Sequence, residues 1–242
     1  MKVLRAILLR LTGRRERRSR ERGQSMVEMA LTFPILLLVL AGTVEIGIYY
    51  NNYLTLVDAT REAARFSADN DYLNVDDIAG CVPGPPDPYS TSRDFYNQAS
   101  CLVLQNMFGI AFDDTTDDII VSIFTVKDGA IIARYPPDPP SVTASTHHKT
   151  LGNDPQTGWS YCLNVKGTGC IAAASFFNNA AVQARLAAVT TAPDTGLVLV
   201  EVYHRHHQFL GLIPPGLAFM PDTLMMHAYS IMPLPSAAPP PE

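Results

Sequence analysis

Three observations predict an α+β fold in which one long N-terminal membrane helix continues into a small antiparallel sheet with two further helices. A dense arginine block ends at Arg22 and abuts an apolar run. That run passes directly into an amphipathic stretch ending near Ala68, with no turn former strong enough to break a helix between them. The remainder mixes helix-like and strand-like segments separated by proline- and glycine-rich connections, which is the pattern of sheet packed on helices. The boundaries that follow are a basic cytoplasmic leader over 1–23, a transmembrane segment over 24–50, an extracytoplasmic α+β domain over 51–235 that includes the helix continuation, and a disordered tail over 236–242.

Charge supports this division. Of the 18 basic residues, nine lie before Gly23, opposed there only by Glu16 and Glu21, so nine basic residues face twenty-one acidic ones in the rest of the chain. A basic tip of this kind suits nucleic acid in isolation. Beside an apolar span it instead marks the cytoplasmic side, so the expected partner is the lipid bilayer and nucleic acid is set aside. The chain beyond Tyr50 is then placed outside the cytoplasm, where disulfides persist in many organisms.

MKVLRAILLRL puts Leu4, Ile7, Leu8 and Leu11 on one helical face, fit for a short interfacial helix or an unstructured leader, and RRERRSRER is a solvated charge run. Sixteen charge-free residues separate Glu28 from Glu45. At about 1.5 Å per residue they cover roughly 24 Å of a ~30 Å hydrocarbon core, so Met26, Val27 and Ile46 to Tyr50 must complete the span. Pro34 removes a donor to the Ala30 carbonyl, so a kink or local melting is expected there. The competing identity, a cleaved signal peptide, is disfavoured by the length of the apolar run and by the lack of an A-x-A site after it. Beyond Asn51, Tyr53, Leu54, Val57, Ala64 and Ala68 form an apolar stripe, with Asp58, Glu62, Arg65 and Asp69 on another face.

Further along, TSRDFYNQASCLVLQNMFGI reads as a helix capped by Thr91 or Ser92. Ile119 to Val126 alternates as a strand, Lys127-Asp128-Gly129 is a hairpin turn, and AIIARY returns as the partner strand. A long loop is expected over 136–168, a helix from Ile171 to Val189, and two more strands over Leu197–Phe209 and Thr223–Met232.

Gly23 at the junction of leader and apolar helix, followed at the fifth place by Glu28, resembles a type IV prepilin processing site. In that family a membrane-embedded prepilin peptidase cuts after the glycine, which would make Gln24 the new N-terminus. A carboxylate at the edge of a hydrocarbon core needs a partner, and the new α-amino group, of the same chain or a neighbour, would supply one for Glu28. The wider stretch GQSMVEMALTFPILLLVLAGTVEIG, with LVDATREAAR beyond it, is similar to the TadE-like minor pilins of tight-adherence (Tad, Flp-type) systems. The matching positions are Gly23, Val27, Glu28, Ala30, Leu31, Pro34, Glu45, Arg61, Ala64 and Arg65. The resemblance implies a type IV pilin-like helix and a minor pilin or pseudopilin acting in pilus assembly, priming or anchoring. It implies as partners the prepilin peptidase, other Tad pilins and pilus-platform membrane proteins, and as assembly residues Glu28, Glu45, Arg61 and Arg65. The polar Gln24 and the long basic leader depart from the pattern, and leave an uncleaved anchor open beside processing.

Glu45 near the outer interface has two readings, a carboxylate snorkelling to water and one arm of an inter-subunit ion pair. Arg61 and Arg65, four apart, share a helical face suited to a neighbour, to the domain or to solvent. Histidines cluster in Tyr203-His204-Arg205-His206-His207, with His227 in the next strand. His204 and His206 are weak metal candidates with His227 as a third; the plainer reading is an exposed strand end. An alternative function, a membrane-tethered metal-binding hydrolase using His204–His207, rests on that cluster. Cys81, Cys101, Cys162 and Cys170 are candidate disulfides, preferred as the sequence neighbours Cys81–Cys101 and Cys162–Cys170, with free thiols as the alternative. No nucleophile triad, phosphate loop or dinucleotide fingerprint is present, so neither catalysis nor a cofactor is expected.

Overall fold

The computed structural model describes residues 2–70, 93–135, 158–188, 194–209 and 223–239, with the side chains of 2–23, 93, 94 and 135 excepted. The chain divides into two compact units, one of Met1–Ile48 with Gln208–Asp222 and one of Tyr49–His207 with Thr223–Glu242.

One helix, α1, runs Lys2–Ala68 and is not interrupted at Pro34. Local melting there is therefore not seen. Thr32, two residues before the proline, instead turns its hydroxyl back to donate to the Glu28 carbonyl at 2.8 Å. From Gln24 to Leu40 every residue is exposed, including Met29, Leu31, Phe33, Leu36 and Leu38. That surface is the wrong one for water and the right one for acyl chains.

The second unit holds α2 (Arg93–Asn106), β1 (Asp118–Lys127), β2 (Ala130–Tyr135), β3 (Trp159–Ser160), α3 (Asn179–Ala187), β4 (Thr195–His207) and β5 (Thr223–Pro233). Its sheet is antiparallel in the order β2-β1-β4-β5, with β3 added to β1 beside Ile120 and Val121, next to the end of β2. The β1–β2 turn is made by Asp128 (φ 51°) and Gly129 (φ 71°), two successive left-handed residues that match the twist of the flanking strands.

Strand alternation sorts the sheet into two faces. On one, Ile119, Val121, Ile123, Val198, Val200, Val202, Met226 and Ala228 pack with Phe95, Tyr96, Ala99 and Val103 of α2 and with Leu56, Ala59, Ala63 and Ala64 of α1. On the other, Phe124 and Leu199 pack with Phe177 and Val182. The buried stripe of α1 is thus Leu56, Ala59, Thr60, Ala63, Ala64 and Ser67, while Leu54 of the expected stripe is 45% exposed. Small side chains let a helix backbone lie close to its neighbours, so the buried face is marked by alanine rather than by bulk.

Three further expectations are corrected. The helix expected from Ile171 begins only at Asn179, because Asn178 caps it by accepting from the Ala181 amide at 2.8 Å and the preceding residues are drawn to the sheet. The expected loop over 136–168 contains β3 and a π-turn at Cys162–Lys166 among its described residues. The start of the expected disordered tail is ordered: Pro235–Ala237 is a 3-10 turn with Ala237 buried. Leu234 donates to the Gly196 carbonyl at 2.8 Å and Thr125 Oγ to the Ala237 carbonyl at 2.9 Å. A Cβ on Gly196 would stand 2.1 Å from the Leu234 carbonyl oxygen, so only glycine admits this crossing.

Candidate functional site

The residues singled out by sequence fall in three places. The first is the apolar half of α1. Gly23 is helical, with its surroundings outside the described side chains. Gln24 Nε2 donates to Glu28 Oε1 at 3.2 Å one turn on, so in the uncleaved chain the Glu28 carboxylate has a neutral partner on its own helix. Both residues are exposed. Glu45 behaves differently. Only 2% of it is accessible, and its Oε1 accepts from the Phe209 amide at 2.6 Å. This removes the snorkelling reading, since the carboxylate points into the chain's own fold rather than into water.

The second place is the far half of α1. Arg61 Nη1 lies 3.6 Å from Asp58, and Arg65 Nη2 lies 2.8 Å from Glu62, both pairs one turn apart and largely exposed. Each arginine therefore has an acid on its own helix, and the hydrogen bond that Arg65 donates to Glu62 raises the Arg65 pKa. Exposed pairs of this kind are weak, and either guanidinium can exchange its acid for another at little cost.

The third place is the sheet, where only His207 of the 204–207 cluster is an exposed strand end. His204 and His206 are buried on the helix-facing side. His204 Nδ1 is 2.7 Å from Asp117, and His206 sits edge-on to Tyr49 with Nδ1 3.4 Å from Asn52 Nδ2. His227 pairs in register with Tyr203 and so lies on the opposite face from both. The three cannot meet at one ion, and no cluster of three metal-binding side chains occurs among the described residues. The metal-hydrolase alternative loses its geometry. The burial is legible only in part: the alternation places His204 and His206 in phase with Val198, Val200 and Val202, but a run of five polar residues masks the phase.

Sequence reading missed two polar centres. Asp117 and Asp118, adjacent in β1 and its approach, face opposite ways. Asp117 accepts from His204, the Arg205 amide and the Asp113 amide; burial opposes its ionisation, yet these bonds prevail and its pKa lies below the ordinary aspartate value. Asp118 accepts from Ser160 Oγ and from the amides of Cys162, Ala173 and Ile119, but burial outweighs them and raises its pKa. It ties β1 to the loop closed by the Cys162–Cys170 disulfide, whose Cα atoms are 5.8 Å apart. Cys101 is also disulfide-bonded, and its expected partner Cys81 lies outside the described residues.

The second centre is Glu201, fully buried in β4. Its carboxylate receives Ser175 Oγ, the Phe176 amide at 3.0 Å, the Tyr203 hydroxyl at 3.1 Å and His227 Nε2 at 3.0 Å. Tyr203 donates as well to the Ala174 carbonyl, and burial followed by the negative Glu201 raises its pKa. His227 is stacked between Tyr203 (4.5 Å) and Tyr229 (5.7 Å). Ser175 bonds the carboxylate and not the imidazole, and because that carboxylate also holds the Phe176 amide, the Tyr203 hydroxyl and His227, the cluster acts as a cross-brace that fixes 174–177 to the sheet. One charged residue within the apolar run Leu197–Val202 was the signal available in the sequence.

Among the described residues one helix is long and apolar enough to cross a membrane, and it lies near the N-terminus. A family model described as TadE-like protein matches residues 23–65. Comparison with curated proteins and with solved structures gave no match. The matched stretch contains Gly23, Glu28, Pro34, Glu45, Arg61 and Arg65, while the histidines and the two buried carboxylate centres lie outside it. Over residues 23–65, the apolar helix and the start of its buried continuation, the chain is similar to the TadE-like family.

Proposed function

We propose that the protein is a minor pilin or pseudopilin of a Tad-type (Flp) pilus and secretion system, a single-pass subunit of the cytoplasmic membrane acting in pilus assembly, priming or anchoring. The observation that carries this reading is that the TadE-like match ends where α1 has already become the spine of a folded domain. A family signature thus spans both a helix fit for lipid and the joint to a soluble head.

In this reading residues 1–23 are a cytoplasmic leader removed by a prepilin peptidase, and the head lies outside the cytoplasm. Cleavage after Gly23 replaces the neutral Gln24 amide as partner of Glu28 by a cation. An ammonium beside a carboxylate in a medium of low dielectric is a far stronger pair than an amide. Processing therefore strengthens the contact that seats the helix among other helices. Arg61 and Arg65, loosely held by acids of their own helix, are then available to acids on a neighbouring pilin or platform protein.

The test is mass spectrometry of the mature N-terminus in cells with and without the peptidase. The expected result is a chain beginning at Gln24 only when the peptidase is present. A chain that retains residues 1–23 in both would overturn the processing claim. Loss of surface pili on deletion, restored by the wild-type gene and not by Glu28→Ala, would support the assembly role; normal piliation in the deletion strain would refute it.

A further inference from the structure

Glu45 and Phe209 meet at the outer end of the apolar span, 164 positions apart in the chain, and neither the span nor the strand pattern accounts for that contact. A carboxylate near hydrocarbon needs a donor, and a backbone N–H brought near lipid needs an acceptor. The 2.6 Å bond satisfies both at once, and with Ala41 one turn earlier Glu45 forms the buried patch on a helix otherwise exposed from Gln24 to Gly47, the half-buried Gly42 apart. The Phe209 side chain, by contrast, is 73% exposed. The sequence following it, LGLIPPGLAFMP, has no charged residue before Asp222. An exposed aromatic ring leading an uncharged apolar stretch, fixed at the level of a membrane helix where hydrocarbon gives way to headgroups, has the bilayer as its natural solvent.

We infer that Phe209, just after β4, makes a second membrane contact, seated in the lipid interface, with Glu45 acting as the positioning residue that holds it there. The contact is with lipid of the same leaflet that receives the outer end of the apolar span, and it is independent of any neighbouring subunit. The inference rests on the membrane reading of Gln24–Tyr50. Glu45, on this view, serves its own chain before it serves an assembly.

The experiment uses the full chain in phosphatidylcholine–phosphatidylglycerol vesicles. The protein has one tryptophan, Trp159, which is buried, so the parent protein is the control and Phe209→Trp is made both in it and in a Trp159→Phe background. The expected result is a blue-shifted emission from F209W that is quenched by lipids brominated near the headgroup end of the acyl chain, with Trp159 unaffected. Adding Glu45→Ala should abolish most of that quenching while the protein stays in the vesicles. Emission from F209W that aqueous iodide quenches and brominated lipid does not would overturn the inference, as would lipid quenching indifferent to E45A. If W159F fails to fold, subtraction of the parent spectrum from that of F209W gives the same readout. A chain that does not float with vesicles at all refutes the membrane reading itself, whereas one that floats with F209W in water refutes only the second contact.

Discussion

The two halves of α1 are made from the same backbone and solvated by opposite means. Between Gln24 and Leu40 the large side chains Leu36, Leu37, Leu38 and Val39 all face outward. Between Leu56 and Ser67 the surface that matters is Ala59, Thr60, Ala63, Ala64 and Ser67, all buried. A lipid-facing helix gains from every apolar area it can spread. A helix laid on a folded core gains from closeness, and closeness requires small residues. One pattern of hydrophobicity, applied uniformly along the chain, therefore finds the first half and misplaces the stripe of the second.

Substitutions that exchange the two rules should break one half and spare the other. Leu37→Arg puts a charge in the middle of the span, at a cost of about 2.5–3.5 kcal/mol for insertion. Membrane retention in a carbonate wash should fall sharply while the near-ultraviolet dichroism of the head is unchanged; full retention would contradict the span. Ala63→Phe applies the converse change. Overpacking a fully buried position should cost about 1–3 kcal/mol or more, lowering the melting temperature of the head without releasing the chain from membranes. An unaltered melting curve would mean that the packing described for Ala63 is wrong.

Acid should separate the halves in a third way. The pKa of Asp117 is depressed in the folded state, so the stability it supplies is present above the unfolded value of about 3.9 and is lost as pH falls through its lower native value. Tyr203 has the opposite sign, since its pKa is raised and the neutral phenol is the form the fold holds. Its contribution is intact below the unfolded value of about 10 and declines as pH rises beyond it. Thermal melts of the full chain in detergent across the pH range should lose stability at both limits, and the acid loss should shrink in Asp117→Asn. The smallest effect is expected for Arg61→Ala with Arg65→Ala, whose ion pairs are solvent-screened. The melting temperature should not move measurably, and a piliation defect in that double variant would then come from contacts between chains.

Much of the sheet was readable from sequence because period-two alternation and the Asp128-Gly129 turn are local signals. β1, β2, β4 and β5 lie within about two residues of the expected strands. What escaped depends on partners distant in sequence. β3 is two residues long and exists only because Ile120 and Val121 of β1 are there to pair with it. Ile171 to Asn178 has a good helical composition, yet Ala173 donates to Asp118, and Ser175 and Phe176 donate to Glu201; no local propensity competes with those buried carboxylates. The burial of His204 and His206 is hidden in the sequence because their side-chain partners, Asp117 and Asn52, stand 87 and 154 positions away. The TadE-like segment was the most legible part, since its signature is carried by residues close together on one helix.

The crossing of Leu234 over Gly196 has a consequence for biogenesis. β4 is flanked on one side by β1 and on the other by β5, and the residues that close its far end come after it in the chain. A truncated or stalled product ending before Thr223 would present the uncovered edge of β4 and an open seat at Gly196. Such a product offers a strand edge to proteases and chaperones, whereas a chain that extends through Ala237 conceals it. The sheet is thus sealed at this end only once β5 and the turn after it have been added.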